Sequence, residues 1–274
     1  MQILRTIIPV TLWPSKAPCI AYDNVFARVG DLPNGVFVAD ADDGVHVKEN
    51  LLDGKEFTYW SPGSSGVHYL YFYSLVQTEV NYIALHGHSM STLGNVYIQV
   101  MYKTAPGAWT EVADKYVTDA GPIMLSFLPV RAKEWKIQIT SPSNYRIAIA
   151  YIGRSMVMER GCWSGFTPPW MGRVAESITN VSESGSLLGR SFRRKGIKFS
   201  MDFTNISQVF IRDEWMPFVQ SAESLPFFVQ WNSLDYPLDV AFCWVNDASK
   251  DFKHPRYSSH SHMSCGVDCT GRVE

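Results

Sequence analysis

The side chains with metal-binding chemistry gather near the C-terminus, where His254, His260, His262, Cys265 and Cys269 lie close together. Imidazole and thiolate are ligands that zinc favours. The Cys265-x3-Cys269 spacing with histidines upstream follows no zinc-finger order, however. Residues 264–269 also alternate as a last strand would, which makes the cysteines small core residues. Asp40, Asp42 and Asp43 could offer oxygen ligands to calcium, but their spacing is not that of a calcium loop, and a solvated turn is the simpler expectation. No metal site is assigned. Serine, histidine and aspartate occur outside any nucleophile elbow or metallohydrolase motif. Glu176 and Glu183 could be imagined as a glycosidase pair, yet nothing in their polar surroundings would raise one pKa. The expectation is a protein that is not an enzyme, with no catalytic residue and no cofactor.

The elements that would position any site are mostly strands. Val96, Ile98, Val100 and Tyr102 share one side of a period-two pattern, with Tyr97, Gln99, Met101 and Lys103 on the other. Trp135, Ile137 and Ile139 alternate with Lys136, Gln138 and Thr140. Ile147, Ile149 and Tyr151 form a further set, as do Phe199, Met201 and Phe203. Strands separated by Gly, Pro, Ser and Asn clusters predict a mostly β protein built from sandwiches or barrels. Residues 207–220 are the helical exception, with Ser207 as N-cap and Val209, Phe210 and Trp215 as apolar contacts. Pro217 is expected to end or bend that helix near its last turn. Residues 226–231 and 240–244 are expected to pair as a hairpin around a turn at 232–237. Gly161, Gly165, Pro168, Pro169 and Gly172 interrupt regular structure and suggest two domains, 1–160 and 161–274.

Bulk properties narrow the class further. A chain of 274 residues with 46% hydrophobic content can bury a real core and is no disordered segment. A formal charge of −2 gives no electrostatic case for nucleic acid or an anionic membrane. The first apolar run is cut by Pro9, too early for a signal peptide, and no stretch of about 18 apolar residues could span a membrane. Folding in a cytosol is expected. The five scattered cysteines agree, as reduced and mostly buried thiols.

Two resemblances give these elements a functional context. The run from Asn50 to Trp60, with Asp53-Gly54, Thr58 and Trp60, resembles the entry motif of discoidin-like, galactose-binding-type jelly rolls. In physical terms, Asp53-Gly54 makes a turn, Thr58 bonds locally and Trp60 begins the core. The run from Asn81 to His88 looks like the strand and turn that follow, and the resemblance spans roughly residues 40 to 153. It implies a jelly-roll β-sandwich in which the 96–102 and 135–139 strands pair across the sandwich. Sugar binding would need an aromatic platform flanked by polar groups, for which Tyr59, Trp60, His86, His88 and Trp109 are the candidates.

The second half is similar to tail-tip proteins of siphophages. The residues that carry this are Gly189, Arg190, Arg193, Gly196, Pro217, Phe218, Pro226, Phe227, Phe228, Trp231, Tyr236, Pro237 and Trp244. The resemblance implies a second β-rich domain with one short helix, in a distal tail or baseplate component. Such a component would link the tail tube to hub and receptor-binding or fibre proteins, as a homo-oligomeric ring (hexamer or trimer). It would reside in the host cytoplasm and then at the virion tail tip. Arg190, Arg193, Arg194, Phe227, Phe228 and Trp231 are the candidate assembly residues, because aromatic and arginine side chains dominate interfaces. One departure is that better-known distal tail proteins place the ring-forming domain first and the carbohydrate-module-like domain second, whereas here the order is reversed. The alternative is a glycan-binding adhesin module that contacts host-surface saccharide directly.

Overall fold

In the computed structural model, residues 16–104, 107–162, 164–259 and 262–273 are described. Their strands are β1 (Cys19–Ala21), β2 (Val36–Ala39), β3 (Gly66–His86), β4 (Tyr97–Lys103), β5 (Thr110–Tyr116), β6 (Ile123–Ser141) and β7 (Ile149–Gly153). They continue with β8 (Met156–Val157), β9 (Arg173–Val181), β10 (Leu187–Ser207), β11 (Phe227–Gln230), β12 (Val240–Trp244), β13 (Phe252–Ser259) and β14 (His262–Arg272). One sheet runs β2–β3–β6–β4–β5, with β7 also on β3; the other runs β8–β1–β11–β12–β14–β10–β9, with β13 on β14.

Strands β3 and β6 are long because each serves two layers. Their antiparallel ladder is interrupted between Tyr73 and Thr78 and again between Val80 and Tyr82, and such irregularities bend a strand pair. The near half, with Leu70↔Ile137 and Phe72↔Trp135, lies beside β2 and β4. The far half, with Ile83↔Leu125 and Leu85↔Ile123, lies beside β7. The two halves close over a core that contains Trp60, Phe72, Leu85, Val100, Trp135 and Ile137. This is the expected jelly-roll β-sandwich. The 96–102 and 135–139 segments differ from expectation in one respect: they are hydrogen-bonded neighbours, Val100↔Ile137, within one layer. Their inward residues therefore share a face and do not oppose each other across the core.

The second sheet has its own core of Ile20, Met201, Phe203, Trp215, Phe218 and Phe227 among others. The expected hairpin forms, with Phe228↔Phe242 in register. A helix covers this core in consecutive segments, Gln208–Phe210, a wider π turn Ile211–Trp215, and Met216–Ala222. Ser207 caps it as expected, its hydroxyl accepting the Phe210 N–H at 3.2 Å. Pro217 does not end the helix, which continues to Ala222. The π turn immediately before it widens the backbone where a proline ring would otherwise meet the preceding turn.

Strand β1 pairs with β11 and β8, so the chain enters through the second sheet, builds the sandwich and returns through β8. Between the sheets lies a third apolar cluster that includes Ala21, Tyr82, Met124, Tyr151, Phe228 and Phe242. The far halves of β3 and β6, with β7, are thus buried on both faces. Among the described residues no helix is long and apolar enough to cross a membrane.

Phe228 is fully buried, with its ring centroid 5.4 Å from Tyr151 and 5.2 Å from Phe242. Phe228→Ala should lower stability by about 3–5 kcal/mol, read as a lower urea midpoint. Phe192→Ala, on an exposed strand, should change it by less than about 0.5 kcal/mol.

Candidate functional site

The near half of the sandwich has an inward face and an outward one. Alternation sends Leu70, Phe72, Ile137 and Ile139 into the core and leaves Tyr69, Tyr71, Glu134, Lys136 and Gln138 on the other side. Register aligns them in rows across the strands: Tyr69, Gln138 and Gln99 in one, then Tyr71, Lys136 and Met101, then Tyr73, Glu134 and Lys103. Trp109, one residue before β5, lies over this face. The Lys136 ammonium is 4.8 Å and the Lys103 ammonium 5.9 Å from its ring centroid. The Tyr71 ring meets it edge-on at 6.0 Å.

The polar groups beside the indole are mutually bonded. The Tyr71 hydroxyl donates to Glu134 Oε2 at 3.1 Å, and Lys103 Nζ lies 3.6 Å from Glu134 Oε1. Partial burial, then the Glu134 bond, pushes the Tyr71 phenol up to about 12, and desolvation lowers the Lys136 ammonium. Gln138 donates to Gln99 at 3.0 Å, and Gln99 donates to Glu111 at 2.5 Å. The result is an open strip of aromatic rings, amides, carboxylates and ammonium groups. Flat C–H-rich surfaces can stack on such rings, and hydroxyls can exchange hydrogen bonds with the flanking groups.

The other candidates are dispersed. Trp60 is fully buried, donates its indole N–H to the Ala41 carbonyl at 2.9 Å and packs edge-on against Tyr145, so it is a core residue with no surface to offer. His86 is buried in the seam between the sheets, stacked on Phe242 at 4.4 Å and 3.2 Å from Glu56, which also pairs with Arg272 at 3.1 Å. Burial raises the Glu56 carboxyl, but His86 and Arg272 outweigh it and leave it below its ordinary value. His88 is buried and bonds the Gly121 carbonyl through Nε2 at 3.0 Å. Tyr59 is half-buried in the 40–65 loops, stacked on His46 at 4.0 Å with the Arg146 guanidinium 5.5 Å away. Of the sugar-binding candidates, Trp109 alone belongs to the outward face. The rest of that face is missing from the sequence-based set. Its signal was the polar side of the alternation, especially Tyr69, Tyr71 and Tyr73.

The assembly candidates separate as well. Phe227 and Phe228 are fully buried in the two cores that flank the hairpin, which removes them as contact surface. Trp231 is half-buried, stacks on Tyr236 at 5.1 Å and donates to Asp239 at 3.2 Å. Arg190 is on the β9–β10 hairpin, bonded to Ser177 at 2.9 Å and close to the Phe192 ring. The side chains of Arg193 and Arg194 lie outside the described residues, as does His260. Cys265 and Cys269 are buried in the second core, and His254 is exposed. The Asp42 and Asp43 carboxylates accept backbone N–H groups of their own turn, while Asp40 accepts the Tyr69 N–H.

No family model matches this sequence, and no curated protein matches it. Solved structures resemble about half of this chain. One is a Ruminococcus gnavus family 29 fucosidase in complex with fucose, with 14% identity and a TM-score of 0.41, over 49% of this chain and 27% of that one. Another is the family 32 carbohydrate-binding module of Clostridium perfringens NanJ in complex with galactose, with 19% identity and a TM-score of 0.37, over 49% of this chain and 98% of that one. A third is a chitosan-binding module from a Paenibacillus chitosanase/glucanase, with 18% identity and a TM-score of 0.38, over 48% and 99% of the two chains.

Burial lowers the His88 imidazole from its ordinary 6.5 to about 4, against the Gly121 bond that raises it. Between those values the unfolded chain holds a proton that the folded one excludes. The stabilisation is therefore complete above pH 6.5 and is lost as pH falls toward 4, by up to about 3 kcal/mol. His88→Gln, which can still donate to Gly121, should be measurably less acid-sensitive than the parent in denaturation midpoints between pH 4 and 7.

Proposed function

We propose that this chain is a non-catalytic glycan-binding protein whose saccharide lies along the outward face of the sandwich. The observation that carries the reading is the Trp109 indole, set between Lys103 and Lys136 and edge-on to a Tyr71 that is itself bonded to Glu134. Aromatic rings flanked by bonded polar groups suit a sugar, which has a C–H face and hydroxyl edges. Half-buried Tyr59, stacked on His46 with Arg146 nearby, is a smaller aromatic arrangement without an adjoining polar row. A glycan array tests the proposal. Saturable binding that weakens at least tenfold in Trp109→Ala, with the melting temperature unchanged, is expected. An array without hits, or binding lost in Tyr59→Ala and kept in Trp109→Ala, would defeat it.

A second reading, assembly into a phage tail tip with tube, hub and fibre proteins as partners, rests on the sequence resemblance; one separate feature suits a subunit contact. The β9–β10 hairpin exposes Val174, Ile178, Val181, Leu187, Leu188 and Phe192. Residues 173–198 carry six basic and two acidic side chains, net +4, which leaves −6 for the rest of a chain of net −2. A ribbon with bare apolar groups and an opposite charge to its body is suited to lie on another subunit. Light scattering over a concentration series should then give a discrete hexamer or trimer, and a Leu187→Ser, Leu188→Ser, Phe192→Ser variant should give a monomer. A parent protein that stays monomeric at all concentrations speaks against a self-assembling ring.

A further inference from the structure

A cleft of about 230 Å³ separates the turn after β5 from the second sheet. One wall carries Lys115 and Asp119; the other carries Trp170, Arg173 and Asp239. The cleft is outside the Trp109 face and shares no residue with it.

Its walls are stiff. At one end the sheets touch: a Cβ added at Gly121 would come within 2.5 Å of the Val273 carbonyl. Trp170 follows Pro168 and Pro169 in a short turn closed by Gly172 N–H bonds to both proline carbonyls, and the fixed φ of proline limits that segment further. The indole is nevertheless 44% exposed. An aromatic ring that lines a cleft and keeps this much exposure is available for stacking.

The polar groups have spare capacity. Lys115 is half-buried, and among the described residues no carboxylate lies within ion-pair distance of its ammonium. Desolvation lowers that ammonium, and Asp119 offsets part of the effect. Nearby His88 is buried and held neutral by desolvation, so it adds no second positive charge beside Lys115. Asp119 Oδ2 accepts the Thr118 hydroxyl at 2.8 Å and Asp239 Oδ2 accepts the Trp231 indole N–H at 3.2 Å. Each carboxylate keeps lone pairs for further donors. An ammonium withdrawn from water without an anion is the most unsatisfied of these groups.

We propose that this cleft is a binding site for one acidic sugar unit, a pyranose that carries a carboxylate. Lys115 takes the carboxylate, Asp119 and Asp239 accept hydrogen bonds from the hydroxyls, and Trp170 stacks on the C–H face. The volume suits a single ring. Lys115 and Arg173 balance Asp119 and Asp239 in formal charge. The preference for one negative charge on the ligand therefore rests on Lys115, whose ammonium has no carboxylate at ion-pair distance among the described residues.

Calorimetric titration with D-galacturonate, and with D-galactose and acetate as controls, tests the site in the whole protein. Saturable galacturonate binding is expected, at least tenfold tighter than either control. Trp170→Ala and Lys115→Gln should each weaken it at least tenfold, while Trp109→Ala should leave it unchanged. Trp170 is exposed, so its variant stays informative if Lys115→Gln is poorly folded. No binding by the parent, or acetate bound as well as galacturonate, overturns the proposal. So does binding that survives Trp170→Ala but is lost in Trp109→Ala, an outcome that would support the sheet-face reading while refuting this one.

Discussion

The fold depends on one layer that is covered twice. The far halves of β3 and β6, with β7, turn Ile83, Leu85, Leu125 and Ile152 toward the sandwich core. The same strands turn Tyr82, Ala84, Met124 and Tyr151 toward the second sheet. A sheet apolar on both faces must be covered on both, so the second sheet completes the sandwich and is more than an attachment to it. Each large side chain buried there is worth on the order of 1.5–3 kcal/mol, which makes Phe228 and Phe242 as important to the sandwich as to their own hairpin.

Polar groups within this seam specify how the sheets meet. Ser126 donates to Gln230 at 3.0 Å, and Gln230 donates to the Pro237 carbonyl at 2.9 Å. Asn81 accepts both the backbone N–H and the hydroxyl of Ser155, at 2.7 and 3.0 Å. The Cys19 thiol donates to that hydroxyl at 3.0 Å, and burial pushes it up to about 11, which keeps it protonated and unreactive. Buried polar groups that lose their partners are costly, so these bonds penalise any sliding of one sheet over the other. His86, between Glu56 and Phe242, belongs to the same set.

This arrangement determines which surfaces are left for recognition. The far layer is unavailable because both of its faces are used. Among the surfaces that stay open are the outward face of the near layer, where Trp109 lies, the margins of the seam, where Trp170 and Lys115 line one cleft, and the β9–β10 hairpin beyond the second core.

The sequence by itself determined the strands at 96–102, 135–139 and 198–204, the capped helix and the hairpin at 227–244, because period-two alternation, a serine N-cap and turn residues act over a few neighbours. Strands β9 and β13, in polar stretches without that alternation, were not legible. The sequence also anticipated that most thiols are buried; Cys162 is the half-buried exception. It anticipated from the turn at Asp53-Gly54 that Trp60 begins the core, yet it also offered Trp60 beside Trp109 as a candidate sugar platform. The pairing of distant strands decides that one is inside and the other outside. His86, Phe227 and Phe228 were unreadable for the same reason. Their neighbours are Glu56, Phe242 and Tyr151, far away in the chain, and burial is a property of the assembled layers. The tertiary structure alone decided that the far strands have two buried faces, and with that which aromatic and charged groups remained at the surface.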